Sequence, residues 1–194
     1  YTGFLGSPEQ VDIVLEAIEK VDTEGLIIVD PAMADHGKLY SGLTESYAAQ
    51  MQELCKRADV ILPNITEAAM MTGMPYLEKY DENYISDILN TIQGKDIVLT
   101  GVSFEPEKTG ISIRADGEFS YYSHQRVHRS FHGTGDMFAA AFTGAWLQGK
   151  PIAAAVRISA DFTCQAIYNT IQNPAHWYGV KFETALPVLI DALK

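Results

Sequence analysis

Leu26-Ile27-Ile28-Val29-Asp30-Pro31-Ala32-Met33-Ala34-Asp35 is the stretch that decides the fold. Four apolar residues in a row, three of them β-branched, show no polar alternation. That is the pattern of a short strand covered on both faces, as in a parallel sheet. Pro31 stops it, because proline has no N–H to give to a ladder. The stop leaves Asp30 and Asp35 just past the carboxyl end of the strand, the edge where open α/β sheets bind their ligands.

The flanking sequence alternates in the same sense. Upstream, Ser7 can cap a helix, Pro8 suits its first position and Gln10 completes a capping box. Val11, Val14, Leu15 and Ile18 then form a stripe of helical period to about Lys20. Downstream, the pattern predicts a helix from Thr44 to Arg57 and a strand Val60-Ile61-Leu62 ended by Pro63. A short helix over 66–72 closes at Gly73, a polar helix runs from Glu82 to Gln93, and a strand runs from Asp96 to Thr100. Such alternation implies right-handed crossovers, a mostly parallel sheet and helices on both faces.

Ile111 to Arg114 and Glu118 to Ser123 flank Asp116-Gly117, a type I′ hairpin signal. A loop from Gln125 to His132 leads to an apolar helix from Gly133 to about Gln148, a second from Pro151 to Asn169, and an amphipathic one from Phe182 to Leu193. No repeat, low-complexity tract or linker interrupts residues 1–194. The expectation is one α/β domain, a three-layer α/β/α sandwich with a mostly parallel central sheet. The opening Tyr1-Thr2-Gly3-Phe4-Leu5-Gly6 reads as the end of a strand, without a leading Met, and so as a domain lacking its N-terminal portion.

Of the 194 residues, 47% are hydrophobic and 20% charged, the composition of an ordinary globule. Asp and Glu number 25 against 14 Lys and Arg, for a net charge of −11. Binding to nucleic acid or to an anionic membrane needs a basic face and is disfavoured. A small anionic ligand needs only a few local donors. No run is long enough to span a bilayer, and with no basic stretch before an apolar one at its start, no signal peptide is expected. Cys55 and Cys164 lie far apart without a CxxC, so neither a disulfide scaffold nor a zinc site is expected, and a cytoplasmic setting fits best.

Four polar clusters carry the candidate chemistry. Gly133-Thr134-Gly135-Asp136 opens the apolar helix. Its glycines let backbone N–H groups approach an anion, at a helix end that presents free donors. Asp136 in that first turn could accept a proton from a substrate hydroxyl while the amides of Gly133, Thr134 and Gly135 neutralise a transferring phosphoryl group. The same four residues also make a good loop and cap. Asn64 and Glu67, three apart across a helix start, could face one crevice, with Glu67 holding Mg²⁺ directly or through water. Equally, Asn64 could be a turn residue and Glu67 an acid complementing the helix dipole. Asp30 and Asp35 share that rim, and Thr100-Gly101 ends the next strand.

Other signals are discounted. His124, His128 and His132 recur every fourth residue, but on a strand and loop, where helical spacing has no meaning. Cys164 lies in an apolar helix and reads as core, and Trp177-Tyr178 reads as packing.

In this order the clusters resemble the ribokinase-like superfamily, and within it the pyridoxal/pyridoxamine (vitamin B6) kinases. The carriers are Val29 to Asp35, Ala58 to Glu67, and Phe131 to Asp136, with the opening Tyr1 to Ser7 resembling a strand-to-helix junction in those enzymes. The Asp-Pro-x-Met-x-Asp loop carries the choice of B6 kinase.

The resemblance implies ATP-dependent phosphorylation of a hydroxymethyl group. Asp136 would be the base on the substrate hydroxyl, with Gly133, Thr134 and Gly135 as the anion hole. Asn64 and Glu67 would organise Mg²⁺ and the ATP phosphates, and Asp30 and Asp35 would line the phosphate and metal region. Tyr40 would fold over the nucleotide, while Thr100 and the backbone near Leu62 would contact ATP. The hairpin's second strand up to His124 would edge the nucleotide site. A monovalent cation, a small-molecule B6 substrate and a homodimer of the full-length form belong to the same expectation.

Two departures stand out, Leu62 where many such kinases carry Thr, and Ala34 in place of a common Gly. Family members also extend further N-terminally, around the acceptor pocket and a dimerising lid. The nearest rival is a hydroxymethylpyrimidine (phosphate) kinase, followed by a sugar or nucleoside kinase of the same fold. From another class comes a catalytically idle nucleotide-binding fragment. No GxxxxGK[ST] and no strand-borne GxGxxG occurs, which disfavours a P-loop enzyme and a dehydrogenase.

Overall fold

The alternation of strand and helix is realised in a computed structural model that describes residues 1–21, 25–92, 96–129, 131–173 and 175–194. The chain gathers into two units, one of residues 1–104 and 111–121, the other of residues 105–110 and 122–194.

In the first unit, side-chain caps set the helix starts. Helix α1 (Pro8–Lys20) begins after Ser7, whose Oγ accepts from the Gln10 N–H. Gln10 reaches one residue further back than a regular capping box, its Oε1 accepting from the Gly6 N–H at 2.7 Å. Thr44 caps α2 (Glu45–Cys55), Asn64 caps α3 (Ile65–Thr72), and Asp81 caps α4 (Glu82–Thr91). Gly73, in the left-handed conformation at φ 70°, terminates α3 as expected. The expected end of α4 at Gln93 lies outside the described residues.

Strands β1 (Ile28–Val29), β4 (Val60–Ile61) and β5 (Asp96–Val102) pair in parallel, with Val29 beside Ile61 and Ile61 beside Ile97. The β6 (Lys108–Ala115) and β7 (Glu118–Gln125) hairpin completes the order β1-β4-β5-β6-β7. Its turn residues, Asp116 and Gly117, have φ of 53° and 81°, which is type I′ geometry. A mixed α/β fold with a mostly parallel central sheet is therefore the architecture, as expected.

Strand order advances in one direction from β1 through β4 to β5. Right-handed crossovers then put the connecting helices on a single face. That face carries Val29, Ile61, Ile97 and Leu99, which join Val11, Tyr47, Met51, Leu54, Ala68, Ile85 and Ile88 of the helices in one buried cluster. Ile28, Val60 and Val98 alternate to the opposite face and are buried too. Val102 belongs to the Ile97 and Leu99 cluster although its position parity is opposite. Gly101, between Leu99 and Val102, has φ 77°, a left-handed backbone that interrupts the strand alternation.

The segment after β1 is not the plain loop expected. Ala34–Asp35 (β2) and Lys38–Leu39 (β3) pair antiparallel around His36 and Gly37, at φ 49° and 76°. Left-handed backbone at both central residues is again type I′. A Cβ on Gly37 would stand 2.7 Å from Cδ1 of Tyr76. Gly37→Ala is therefore expected to destabilise the protein by about 2 kcal/mol, combining left-handed strain with overpacking. Urea unfolding midpoints measure this, and an unchanged midpoint would show that the hairpin turn bears no strain.

In the second unit, α5 (Thr134–Leu147) lies along α6 (Ile152–Ile171). Phe138, Phe142 and Trp146 stack at four-residue intervals on α5, with ring centroids 6.5 and 6.0 Å apart. Ala141, Phe162, Ala166 and Ala185 form a small core with Met137, Val180 and Leu189 against it. The C-terminal amphipathic helix is broken in two, a 3-10 turn over Phe182–Ala185 and then α7 (Leu186–Leu193). Pro187 explains the division, since proline is tolerated only in the first turn of a helix and so resets its start. Among the described residues, no helix is long and apolar enough to cross a membrane.

Candidate active site

The first unit brings Asp30, Asn64, Glu67 and Thr100 to the carboxyl ends of its parallel strands. Asn64 and Thr100 form a parallel bridge, with the Thr100 N–H donating to the Pro63 carbonyl at 2.9 Å. Asn64 and Glu67 make a reciprocal capping box. Asn64 Oδ1 accepts from the Glu67 N–H at 3.0 Å, and Glu67 Oε2 accepts from the Asn64 N–H at 2.8 Å. The second Glu67 oxygen, Oε1, accepts from the N–H groups of Met33 (2.8 Å) and Ala34 (3.3 Å). Asn64 Nδ2 donates to the Ala34 carbonyl, and Thr66 Oγ1 accepts from the Gly37 N–H. The first turn of α3 thus fastens the whole segment that follows β1.

Glu67 is 2% exposed. Burial, with the nearby Asp30 carboxylate adding to it, pushes its carboxyl up from 4.5 to about 7, against the pull of its three backbone donors. Asp30 Oδ1 accepts from the Ala32 N–H at 3.2 Å, and the Tyr1 hydroxyl donates to Oδ2 at 3.4 Å. Ala32 sits at φ 38°, a left-handed conformation uncommon for alanine. Three consecutive amides, of Ala32, Met33 and Ala34, therefore point at the two carboxylates.

The other expected members are placed less centrally. Asp35 is exposed at the tip of β2, accepting from the His36 N–H and lying 3.5 Å from the His36 ring. Tyr40 donates its N–H to the Met33 carbonyl, and its exposed ring lies 6.5 Å from that of Phe4. Leu62 is buried, with its N–H committed to the Val29 carbonyl.

The second unit holds the glycine-rich mouth. Gly133, at φ 81°, begins α5 without any side-chain cap, and Met137 donates back to its carbonyl at 3.0 Å. A Cβ on Gly133 or on Gly135 would meet nothing within 4 Å, and Asp136 is exposed in the first turn. Thr134 uses its hydroxyl to close the preceding loop, donating to the Phe131 carbonyl. The mouth is open, uncapped and lined with backbone donors, which suits an anion.

His124 turns from β7 toward α6, with Nδ1 3.1 Å from Cys164 Sγ and 3.0 Å from the Gln125 carbonyl. Beside it the Tyr122 hydroxyl donates to Asp161. Burial and Asp161 push the Cys164 thiol up to about 11, so it is a poor nucleophile at neutral pH. Each of the three spaced histidines has its own partner, since His128 pairs with Glu107 and His132 stacks on Tyr178. The packing expected of Trp177 and Tyr178 is found only in part: Tyr178 lies between the rings of His132 and Trp177, yet Trp177 is 90% and Tyr178 64% exposed. Nothing in a Trp-Tyr pair distinguishes a buried loop from a solvent-facing one.

Among the described residues, no three His, Cys, Asp or Glu side chains converge as a closed metal cage. Mg²⁺ seldom uses one, keeping waters and taking one or two carboxylates together with substrate phosphates. Asp30 and buried Glu67 repel each other, a stress that a divalent cation relieves, so this oxygen-only set fits Mg²⁺.

A mixed α/β fold with a mostly parallel central sheet is the fold class shared with solved ribokinase-like kinases. The chain belongs to the phosphomethylpyrimidine kinase family, whose profile matches residues 1–180. It is 31% identical over 165 residues to the hydroxymethylpyrimidine/phosphomethylpyrimidine kinase of Bacillus subtilis, covering 82% of this chain and 60% of that one. It is equally 31% identical, over 175 residues, to the pyridoxine/pyridoxal/pyridoxamine kinase of Bordetella avium, covering 85% and 58%. A candidate phosphomethylpyrimidine kinase of Bacteroides thetaiotaomicron, solved with pyridoxal, superimposes with a TM-score of 0.89 at 29% identity, over 98% of this chain and 70% of that one. The chain thus spans about three-fifths of the length of the curated relatives it matches.

Proposed function

We propose that this chain transfers the γ-phosphoryl group of ATP to a hydroxymethyl group on a heteroaromatic ring, with a vitamin B6 vitamer as the acceptor. The observation that carries the reading is the uncapped start of α5, where Gly133 holds a left-handed turn and Asp136 stands exposed in the first helical turn. Asp136 accepts the proton of the acceptor hydroxyl as its oxygen bonds to the γ-phosphorus and the bridging oxygen leaves with ADP. The amides at Gly133, Thr134 and Gly135 stabilise the charge on the transferring group at fixed positions, so no reorganisation is needed at the moment of reaction. Asp30, with the Glu67 carboxylate near it and Asp35 exposed further out on β2, would hold Mg²⁺, which supplies charge neutralisation for the ATP phosphates. Asn64 and Glu67 keep the segment around Asp30 in place through the bonds described above. Thr100, Tyr40, the backbone near Leu62, and His124 remain candidate nucleotide contacts.

The second reading is a hydroxymethylpyrimidine or phosphomethylpyrimidine acceptor. The family profile and the Bacillus subtilis relative favour it, while the Bordetella avium relative and the pyridoxal-bearing structure favour the vitamer. Both acceptors present a ring hydroxymethyl, so the same transfer chemistry serves either. Comparing kcat/KM for pyridoxal and for hydroxymethylpyrimidine separates them. A B6 kinase is expected to favour pyridoxal by about tenfold or more, since hydrogen bonds to the ring substituents discriminate strongly. No turnover of pyridoxal above background would end the vitamer assignment. Nucleotide binding without transfer to either acceptor would favour an idle nucleotide-binding fragment.

A further inference from the structure

The segment that follows α6 lies against the glycine-rich mouth, within the second unit. Tyr178 stacks on His132, with ring centroids 6.0 Å apart and planes at 26°. Gly179 follows at φ 67°, close enough that a Cβ there would stand 3.8 Å from the His132 carbonyl oxygen. One residue on, Val180 packs against the buried cluster that also receives Met137. His132 and Met137 are the residues immediately before and after Gly133-Thr134-Gly135-Asp136. The segment is anchored in turn, because the Lys181 N–H donates to Thr170 Oγ1 at 2.8 Å and that buried hydroxyl donates to the Ala166 carbonyl in α6.

The mouth needs such support. Two of its four residues are glycines, no side chain caps the helix start, and Gly133, Gly135 and Asp136 are all exposed. An oxyanion-type site works only when its donors are held where charge will develop. The body of α5 steadies the downstream end. Upstream, the restraints include the Thr134 hydroxyl bond to Phe131, Arg129 over the Phe131 ring at 5.0 Å, and the Tyr178 stack on His132.

We propose that Tyr178 is a positioning residue, which by stacking on His132 fixes the upstream end of the glycine-rich mouth while Val180 fixes the downstream end beside Met137. The stack sets where the amides of Gly133 to Gly135 and the carboxylate of Asp136 stand during phosphoryl transfer. This deepens the kinase reading and rests on it. Tyr178 touches neither nucleotide nor acceptor in this scheme, so its effect falls on the rate of transfer rather than on ligand affinity.

The test compares Tyr178→Ala, Tyr178→Phe and Trp177→Ala in the full chain. Tyr178→Ala is expected to lower kcat by about tenfold to a hundredfold, because small misplacements of transfer groups cost that much, with little change in KM for ATP. Tyr178→Phe keeps the ring and is expected to keep wild-type turnover, and Trp177→Ala, which removes a 90% exposed ring that meets Tyr178 rather than His132, to leave it unchanged. Hydrogen exchange supplies a readout independent of activity. The Met137 amide, which closes the first helical bond to Gly133, is expected to exchange about tenfold faster in Tyr178→Ala and not in Tyr178→Phe. Wild-type turnover in Tyr178→Ala, or an unchanged Met137 exchange rate, overturns the proposal. So does a loss that Trp177→Ala reproduces or that merely tracks unfolding in a melting curve. Should the wild-type chain phosphorylate no hydroxymethyl acceptor, the kinase reading fails instead, and Met137 exchange still decides whether Tyr178 braces the mouth.

Discussion

Asp136→Asn is expected to lower the turnover number by about 10²–10⁴ while leaving ATP binding and the unfolding midpoint close to wild type. Asparagine is nearly isosteric with aspartate and keeps the exposed first-turn position, so the fold has no reason to change. What it cannot do is accept the proton that the acceptor hydroxyl must lose. The amides of Gly133, Thr134 and Gly135 would remain to bind the transferring group, which is why some turnover is expected to survive. Steady-state kinetics together with nucleotide-binding titrations measure both sides. Turnover at the wild-type level would remove Asp136 from the chemistry and leave the start of α5 as an ordinary helix start.

Glu67→Gln is expected to change the pH dependence of stability between pH 5 and pH 8. The wild-type carboxyl titrates near 7 in the folded protein against 4.5 ordinarily. The folded value lies above the unfolded one, so folding is favoured most below pH 4.5 and that advantage is lost as pH rises through 7. Between these limits the loss is on the order of 3 kcal/mol. Glutamine has no such titration. It can still accept from Met33 and Ala34 through its carbonyl, but its NH₂ group faces the Asn64 N–H, donor against donor, at a cost of about 1–3 kcal/mol. Urea unfolding in metal-free buffer from pH 5 to pH 8 is expected to show a wild-type advantage that shrinks with pH. Parallel stability curves for the two proteins would show that Glu67 does not titrate in this range. With Mg²⁺ and ATP present, the variant is also expected to need more Mg²⁺ for half-maximal turnover.

These two residues also mark how far the sequence could be read. The helix start at Gly133 was legible because four consecutive residues carry it, and a glycine-bracketed helix start means much the same in any surroundings. The strand at Ile28 and Val29, the helix stop at Gly73 and the Asp116-Gly117 turn were legible for the same reason, each resting on local backbone preference. Glu67 was only half legible. Its spacing from Asn64 announced a helix start, but the Oε1 bonds to Met33 and Ala34 join residues more than thirty positions apart, and no local pattern encodes them. The β2–β3 hairpin was missed because its turn uses His36 in a left-handed conformation that sequence rules reserve for Gly or Asn. The broken C-terminal helix was misjudged because the amphipathic stripe outweighed the stop that Pro187 carries, and the exposed Trp177 because apolar content alone does not say which surface will cover it.

The two tryptophans stand in opposite surroundings. Trp146 is half-buried against Phe142, whereas Trp177 meets solvent almost completely, one residue from the ring that stacks on His132. An indole bathed in water emits at longer wavelength and is quenched by small solutes, while one pressed against an aromatic neighbour is shielded. The protein therefore contains its own optical gauge at the edge of the glycine-rich mouth. Events there can be followed by red-edge emission and quencher access without attaching any dye.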